Sequence, residues 1–206
     1  TKSCAEKSEK IMNVFYEELP EALEINGREY SVITDFREWI RFSDMLKSDI
    51  PPEFKLEFLS EMFLEEVPDL YTEDGIEEVM DAITSFLSLS GTEFPDISSD
   101  EANSEEESEE VEYEEQRAKK AIYYEQDAPY IISAFRREYQ IDLLSVPYMH
   151  WWEFRMLLDG LSEESQIKKR IYWRTCDVSK MDKKERREIL KIRRSITIPE
   201  EEYVSD

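Results

Sequence analysis

One histidine, two cysteines and four glycines are all that 206 residues contain of three residue types on which many functional sites depend. Each shortage removes a class of function. A zinc site needs about four suitable ligands. Cys4, Cys176 and His150 stand in no CxxC or HxxxH spacing, so no metal and no other cofactor is expected. Two cysteines in segments of different character, with no apolar secretion signal in the opening TKSCAEKSEK, read as free thiols. Four glycines leave little room for a phosphate-cradling loop. No apolar run approaches the roughly 20 residues of a membrane span. No membrane partner is expected, and the expected compartment is the cytoplasm.

Basic charge is also scarce. With 26 basic and 50 acidic side chains the formal charge is −24, which opposes nonspecific attraction to nucleic acid or an anionic membrane. The imbalance is local. Residues 1–92 carry 8 basic and 22 acidic groups, residues 93–116 carry 12 acidic and none basic, and residues 117–206 carry 18 basic and 16 acidic.

Apolar residues make up 40% of the chain, enough for a packed core. Residues 1–11 are polar and are expected to be a leader or a remnant of an upstream reading frame. In residues 12–91 a hairpin comes first: Leu23 and Ile25 alternate with polar residues, Asn26-Gly27 suits a type I′ turn, and Tyr30 and Val32 alternate on the return. Thr34 is expected to cap a helix bearing Phe36, Trp39, Ile40, Met45 and Leu46. A second helix follows Pro51-Pro52 with Phe54, Phe58, Leu59 and Met62 as its apolar face. A third places Ile76, Val79, Ile83, Phe86 and Leu87 inward, with Gly91 as its stop.

Residues 92–116 have charge without an apolar period and are expected to be a flexible acidic linker. Residues 117–199 resume as a helical half. Asp127 with Pro129 marks a helix start, more readily a cap than a functional carboxylate. Ile131, Phe135 and Tyr139 form a stripe, with Ile132 and Ala134 beside it. Two further helices are expected over SEESQIKKRIYW and DKKERREILKIRRSI, before an acidic tail at 200–206. The expected fold is mainly α: a bundle-like protein in two helical halves with one small N-terminal β-hairpin.

The stretch PYMHWWEFRMLLDGL, residues 147–161, holds the sole histidine before two tryptophans. On a helix from Pro147 to Gly160, Arg155 and Asp159 are i, i+4 partners close to Tyr148. Trp151 and Trp152 flank that strip, and His150 lies nearly opposite with Phe154 and Leu157. A core histidine outweighs a catalytic one, because no activated nucleophile is legible beside it. The tryptophan pair suits a core and a docking face equally, and Tyr148, Trp151, Trp152, Arg155 and Asp159 form the candidate partner-binding face. Residues 165–198 hold 12 basic and 4 acidic groups. Lys168, Lys169, Arg170, Arg193 and Arg194 are the candidates for nucleic-acid contact, a role the acidic remainder opposes.

The segments YYEQDAPYIISAFRREYQIDL, YMHWWEFRMLLDGL and YWRTCDVSKMDKKERREI, together with LPEALEINGREYSVITDFREWIRF, resemble the phage family known as gene product fifteen. The resemblance covers about residues 12–195. Departures are Gln140 where glycine is usual, Met149 where leucine is usual, and the long acidic insertion. It implies a non-enzymatic tail assembly chaperone in the cytoplasm of the bacterial host. Its implied partners are the tape measure protein, which it keeps soluble, and the tail tube protein. No catalytic residues come with it. A structural tail component and a nucleic-acid-binding regulator acting through 165–198 are the alternatives. Lobes this small are also expected to associate as a homo-oligomer.

Overall fold

The computed structural model describes residues 14–89, 121–179 and 181–197. Two strands, β1 (Ala22–Ile25) and β2 (Arg28–Ser31), pair antiparallel with Leu23 opposite Tyr30 and Ile25 opposite Arg28. Asn26 and Gly27 both take positive φ, 54° and 74°, as a two-residue I′ turn requires. The hairpin covers β1's apolar side with α3 and extends through an isolated bridge from Val32 to Phe63.

Seven helices follow among the described residues: α1 (Phe36–Lys47), α2 (Pro52–Glu61), α3 (Glu73–Leu87), α4 (Tyr124–Glu138), α5 (Trp151–Asp159), α6 (Gln166–Thr175) and α7 (Lys183–Ile196). The mainly α architecture with one small hairpin is as expected. The packing runs α2 on α1, α1 on α5, α5 on α4, α4 on α6 and α6 on α7. One buried cluster therefore crosses from the first half to the second. Phe36 stacks on Phe154 with ring centroids 4.5 Å apart, Phe154 in turn stacks on Phe135, and Phe86 lies between Trp39 and Trp152.

Helix boundaries correct several expectations. Asp35, not Thr34, caps α1, its carboxylate accepting from the Arg37 N–H at 2.9 Å; a carboxylate beside a helix N-terminus gains from the dipole as well. On α2, Leu59 and the C-cap residue Met62 are buried, but Phe54 is 58% exposed. Its apolar residues are spread around the helix rather than gathered on one face. On α3, Val79, Ile83 and Phe86 are buried while Ile76 and Leu87 are only half so. The chain turns at Leu89, which takes φ +57°, and Gly91 lies outside the described residues. Gly75 in the first turn of α3 is required by close approach, since a Cβ there would meet the Asp69 carbonyl at 2.4 Å.

In the second half, α4 begins at Tyr124, before Asp127. Pro129 lies inside the helix, where it frees one carbonyl in the first turns. Ile131, Ala134 and Phe135 are buried, as their spacing implies. The assignments made to residues 1–11, 92–116 and 200–206 fall outside the described residues.

Candidate functional site

α5 starts at Trp151, four residues after Pro147, and its N-cap is His150. His150, the residue before the helix, is extended, so Tyr148, Met149 and His150 do not share a helical face with Arg155 and Asp159. Instead, two helix N-termini meet there. The Phe36 N–H at the start of α1 donates to the Met149 carbonyl at 3.0 Å, and the Trp151 N–H at the start of α5 donates to the Thr34 carbonyl at 2.7 Å. The first N–H groups of a helix have no partner within it. The segment leading into each helix supplies that partner to the other. The Thr34 and Tyr148 hydroxyls close the outer edge at 2.7 Å, and Arg37 donates to the Leu143 and Val146 carbonyls.

His150 is buried in this joint. Its Nδ1 accepts from the Trp152 N–H at 3.0 Å, and its Nε2 lies 3.0 Å from the Pro20 carbonyl. The first contact requires a lone pair on Nδ1 and the second a proton on Nε2, which defines the neutral tautomer. Burial pushes the imidazole below its ordinary pKa, against the Pro20 carbonyl, Glu21 and Glu153, which favour the charged form. The expected core histidine bonded to a backbone carbonyl is what the chain contains, with Pro20 as that carbonyl.

The remaining residues of the proposed strip are core as well. Trp151, Trp152 and Arg155 are buried, and the Asp159 side chain is 8% exposed; Tyr148 alone, at 52%, reaches solvent. The expected outward face is thus corrected for four of its five members, because α5 is packed against α1 on one side and α4 on another. Their polar atoms have a different task. Trp152 Nε1–H donates to the Phe86 carbonyl at 2.9 Å, and Trp151 Nε1–H and Arg155 Nη1 reach the Leu87 carbonyl at 3.3 and 3.4 Å. These are the last carbonyls of α3, which lack partners within that helix. Two indoles and a cation cap its negative end. Tyr124 lies against the same group, and burial raises its hydroxyl to about 12 despite Arg155.

A second buried polar centre was not legible from the stretch around 150. Asp127 is fully buried, its carboxylate accepting from Arg174 at 2.5 and 3.0 Å, from Arg170 Nε at 2.7 Å and from the Tyr123 N–H at 3.0 Å. Burial opposes its ionisation, but the Arg174 and Tyr123 hydrogen bonds outweigh that and hold its pKa below the ordinary carboxylate range. Arg174 also donates to the carbonyls of Ala121 and Ile196. The cluster ties the start of α4 to α6 and to the end of α7. Asp127 is therefore an anchor inside α4 rather than the residue that precedes it.

These contacts bear on the basic segment. Arg170 is spent on Asp127, Arg193 is buried against the Trp173 and Cys176 carbonyls, Lys168 donates to the Asp159 carbonyl, and Lys169 pairs with Glu164. Arg194, the fifth candidate for nucleic-acid contact, is exposed on α7. Among the described residues no group of three or more His, Cys, Asp or Glu could hold a metal ion.

What the surface does present is apolar area in an acidic setting. Ile50, Phe54, Leu64, Val67 and Tyr71 are exposed, Phe54 at 58%, Leu64 at 62% and Tyr71 at 95%. They fall within 22 residues that carry six carboxylates and one lysine. The family model described as Bacteriophage Gp15 protein matches residues 15–198. The chain belongs to this family. The match spans the hairpin, all seven helices and both buried polar centres, so the α3-capping tryptophans and the Asp127 anchor lie within the Gp15 unit. No curated protein and no solved structure matches the chain. No helix among the described residues is long and apolar enough to cross a membrane.

Proposed function

We propose that this Gp15-family protein is a tail assembly chaperone, working in the host cytoplasm, that holds the tape measure protein soluble while the tail tube assembles. A holdase has to offer apolar surface to a client while its own charge keeps the complex in solution. The observation that carries the proposal is the stretch Ile50–Tyr71, where five large apolar side chains are exposed among six carboxylates. It replaces the buried α5 residues as the client surface. The chemistry is non-enzymatic, the partners are the tape measure and tail tube proteins, and association of several copies along an extended client follows from the same surface.

Co-expression with the tape measure protein tests it. Wild type should keep the client in the soluble fraction, and Phe54→Ser with Leu64→Ser and Tyr71→Ser should lose at least half of that effect at unchanged helicity. Equal client solubility with the triple variant would remove this surface from the proposal. A structural tail component, the alternative, would be retained in purified virions, whereas a chaperone is absent from them.

A further inference from the structure

The outer side of α7 bears a groove of about 450 Å³ lined by Lys183, Arg186, Arg187, Leu190, Lys191 and Arg194. These positions recur at intervals of three and four, which stacks them along one helical face. The inner side of the same helix is a different surface, with Ile189, Arg193 and Ile196 buried. Helix α7 thus separates an inward set that includes one bonded arginine from an outward row of five cations around one leucine. Lys183, Arg186, Arg187 and Lys191 have no side-chain partner among the described residues. In a chain of formal charge −24 such a row is out of keeping with its surroundings.

We propose that this row is the docking surface for the chain's own acidic segment, residues 93–116. Three observations converge. The segment carries 12 carboxylates and no basic residue, the strongest opposite charge in the sequence. It also has a short route to α7. Arg174 donates to the Ala121 carbonyl at 3.0 Å and to the Ile196 carbonyl at 2.8 Å, so the residue five positions after the segment and the last residue of α7 share one guanidinium. The chain therefore enters α4 beside the end of the helix where Arg194 stands. Finally, the length suffices. Lys183 to Arg194 spans about 17 Å at roughly 1.5 Å per residue, which about five extended residues cover. Closing so short a loop costs little entropy, whereas an acidic segment from another chain or a separate polyanion has to be captured from solution. Docking neutralises a cationic surface that would otherwise attract nucleic acid.

Carbodiimide coupling, which joins amines to carboxylates in contact, tests this on the full chain. At low ionic strength Lys183 and Lys191 should crosslink to glutamates of 105–115 within one chain, as read from a mixture of isotopically light and heavy protein. The crosslinks should vanish near about 1 M salt, where charges are screened within about 3 Å. Heparin gives the second readout. Glutamine at Glu105, Glu106, Glu107, Glu109, Glu110 and Glu112 should raise heparin affinity about tenfold or more, and Arg187→Glu with Lys191→Glu should cancel the rise. Six glutamines at Glu53, Glu57, Glu61, Glu65, Glu73 and Glu77 change net charge equally and should leave affinity within about twofold. Absence of the crosslinks, crosslinks confined to light-heavy pairs, or an equal rise in both glutamine variants would overturn docking within the chain.

Discussion

The indole N–H of Trp152 donates to the Phe86 carbonyl at 2.9 Å, across 66 residues of sequence and from one half of the protein to the other. Beside it, Trp151 and Arg155 reach the next carbonyl, that of Leu87. A helix ending inside a core leaves carbonyls that water cannot reach. The paired tryptophans supply the apolar bulk that excludes water and the donors that replace it.

Trp152 should accordingly show two separable costs. Trp152→Phe keeps most of the ring area and deletes the donor, leaving the Phe86 carbonyl to the longer bond from the Leu89 N–H at 3.3 Å, and should destabilise by about 0.5–1.5 kcal/mol. Trp152→Ala also opens a cavity against Phe86 and should cost about 3–5 kcal/mol. Urea unfolding followed by far-ultraviolet circular dichroism measures both. Equal losses for the two variants would show that packing alone matters at this position.

The joint at His150 should weaken in mild acid. Its folded pKa lies below the ordinary value because burial disfavours the cation, so the unfolded chain binds the proton more readily. Stability from this group is fully present above about pH 6.5, the ordinary histidine value, and is lost as pH falls through the lowered folded value. His150→Asn retains an acceptor for the Trp152 N–H and should flatten the dependence of unfolding free energy on pH below about 6.5. As the sole histidine, its ring protons can be followed directly by NMR, and a titration midpoint at or above the ordinary value would contradict the assignment.

Asp127 and Arg174 should behave as a buried pair whose breaking costs more than its removal. Asp127→Asn leaves two guanidinium groups against a neutral amide and should destabilise by about 3–5 kcal/mol near neutral pH. The carboxylate's lowered pKa contributes stability above the ordinary value of about 3.9 that is lost as pH falls through the folded value. The gap between wild type and Asp127→Asn should therefore shrink below about pH 4. Asp127→Leu with Arg174→Met should recover part of the loss, since no lone charge remains buried. Chemical denaturation across pH provides all three comparisons.

Local pattern reported local structure well. The Asn26-Gly27 turn, the α3 stripe of Val79, Ile83 and Phe86, and the α4 stripe of Ile131 and Phe135 each depend on spacing within one element, and spacing is visible in a sequence. The role of the tryptophan stretch depended on what lay against it. Trp151, Trp152 and Arg155 bring three donors to one helix, and such a set suits a solvent-facing strip or a buried cap of another helix; which one holds is decided by α3, more than 60 residues earlier. Asp127 presented the same difficulty. A carboxylate two residues before proline has the composition of a helix cap, and its partners Arg170 and Arg174 are recognisable as an i, i+4 pair only once α6 is placed against α4.

Gln140 offers a substitution expected to stabilise. It follows the C-cap of α4 and takes φ +57°, in the left-handed region. There the chain reverses, with the Tyr139 and Ile141 N–H groups both directed at the Phe135 carbonyl, at 3.0 and 3.3 Å. A side chain with a Cβ pays about 1–2 kcal/mol in that conformation, and glycine pays almost none. Glycine also loses more freedom on folding, which offsets part of the gain. Gln140 is exposed, and glycine there removes no buried contact. Gln140→Gly should therefore raise the unfolding free energy by about 0.5–1 kcal/mol, seen as a higher urea midpoint at unchanged slope. The complementary change at Gly27, φ +74°, should do the opposite: Gly27→Val places a β-branched side chain in the left-handed region of the hairpin turn and should lower the midpoint. A loss of stability with Gln140→Gly would mean that the glutamine side chain holds the turn by a contact stronger than the strain it carries.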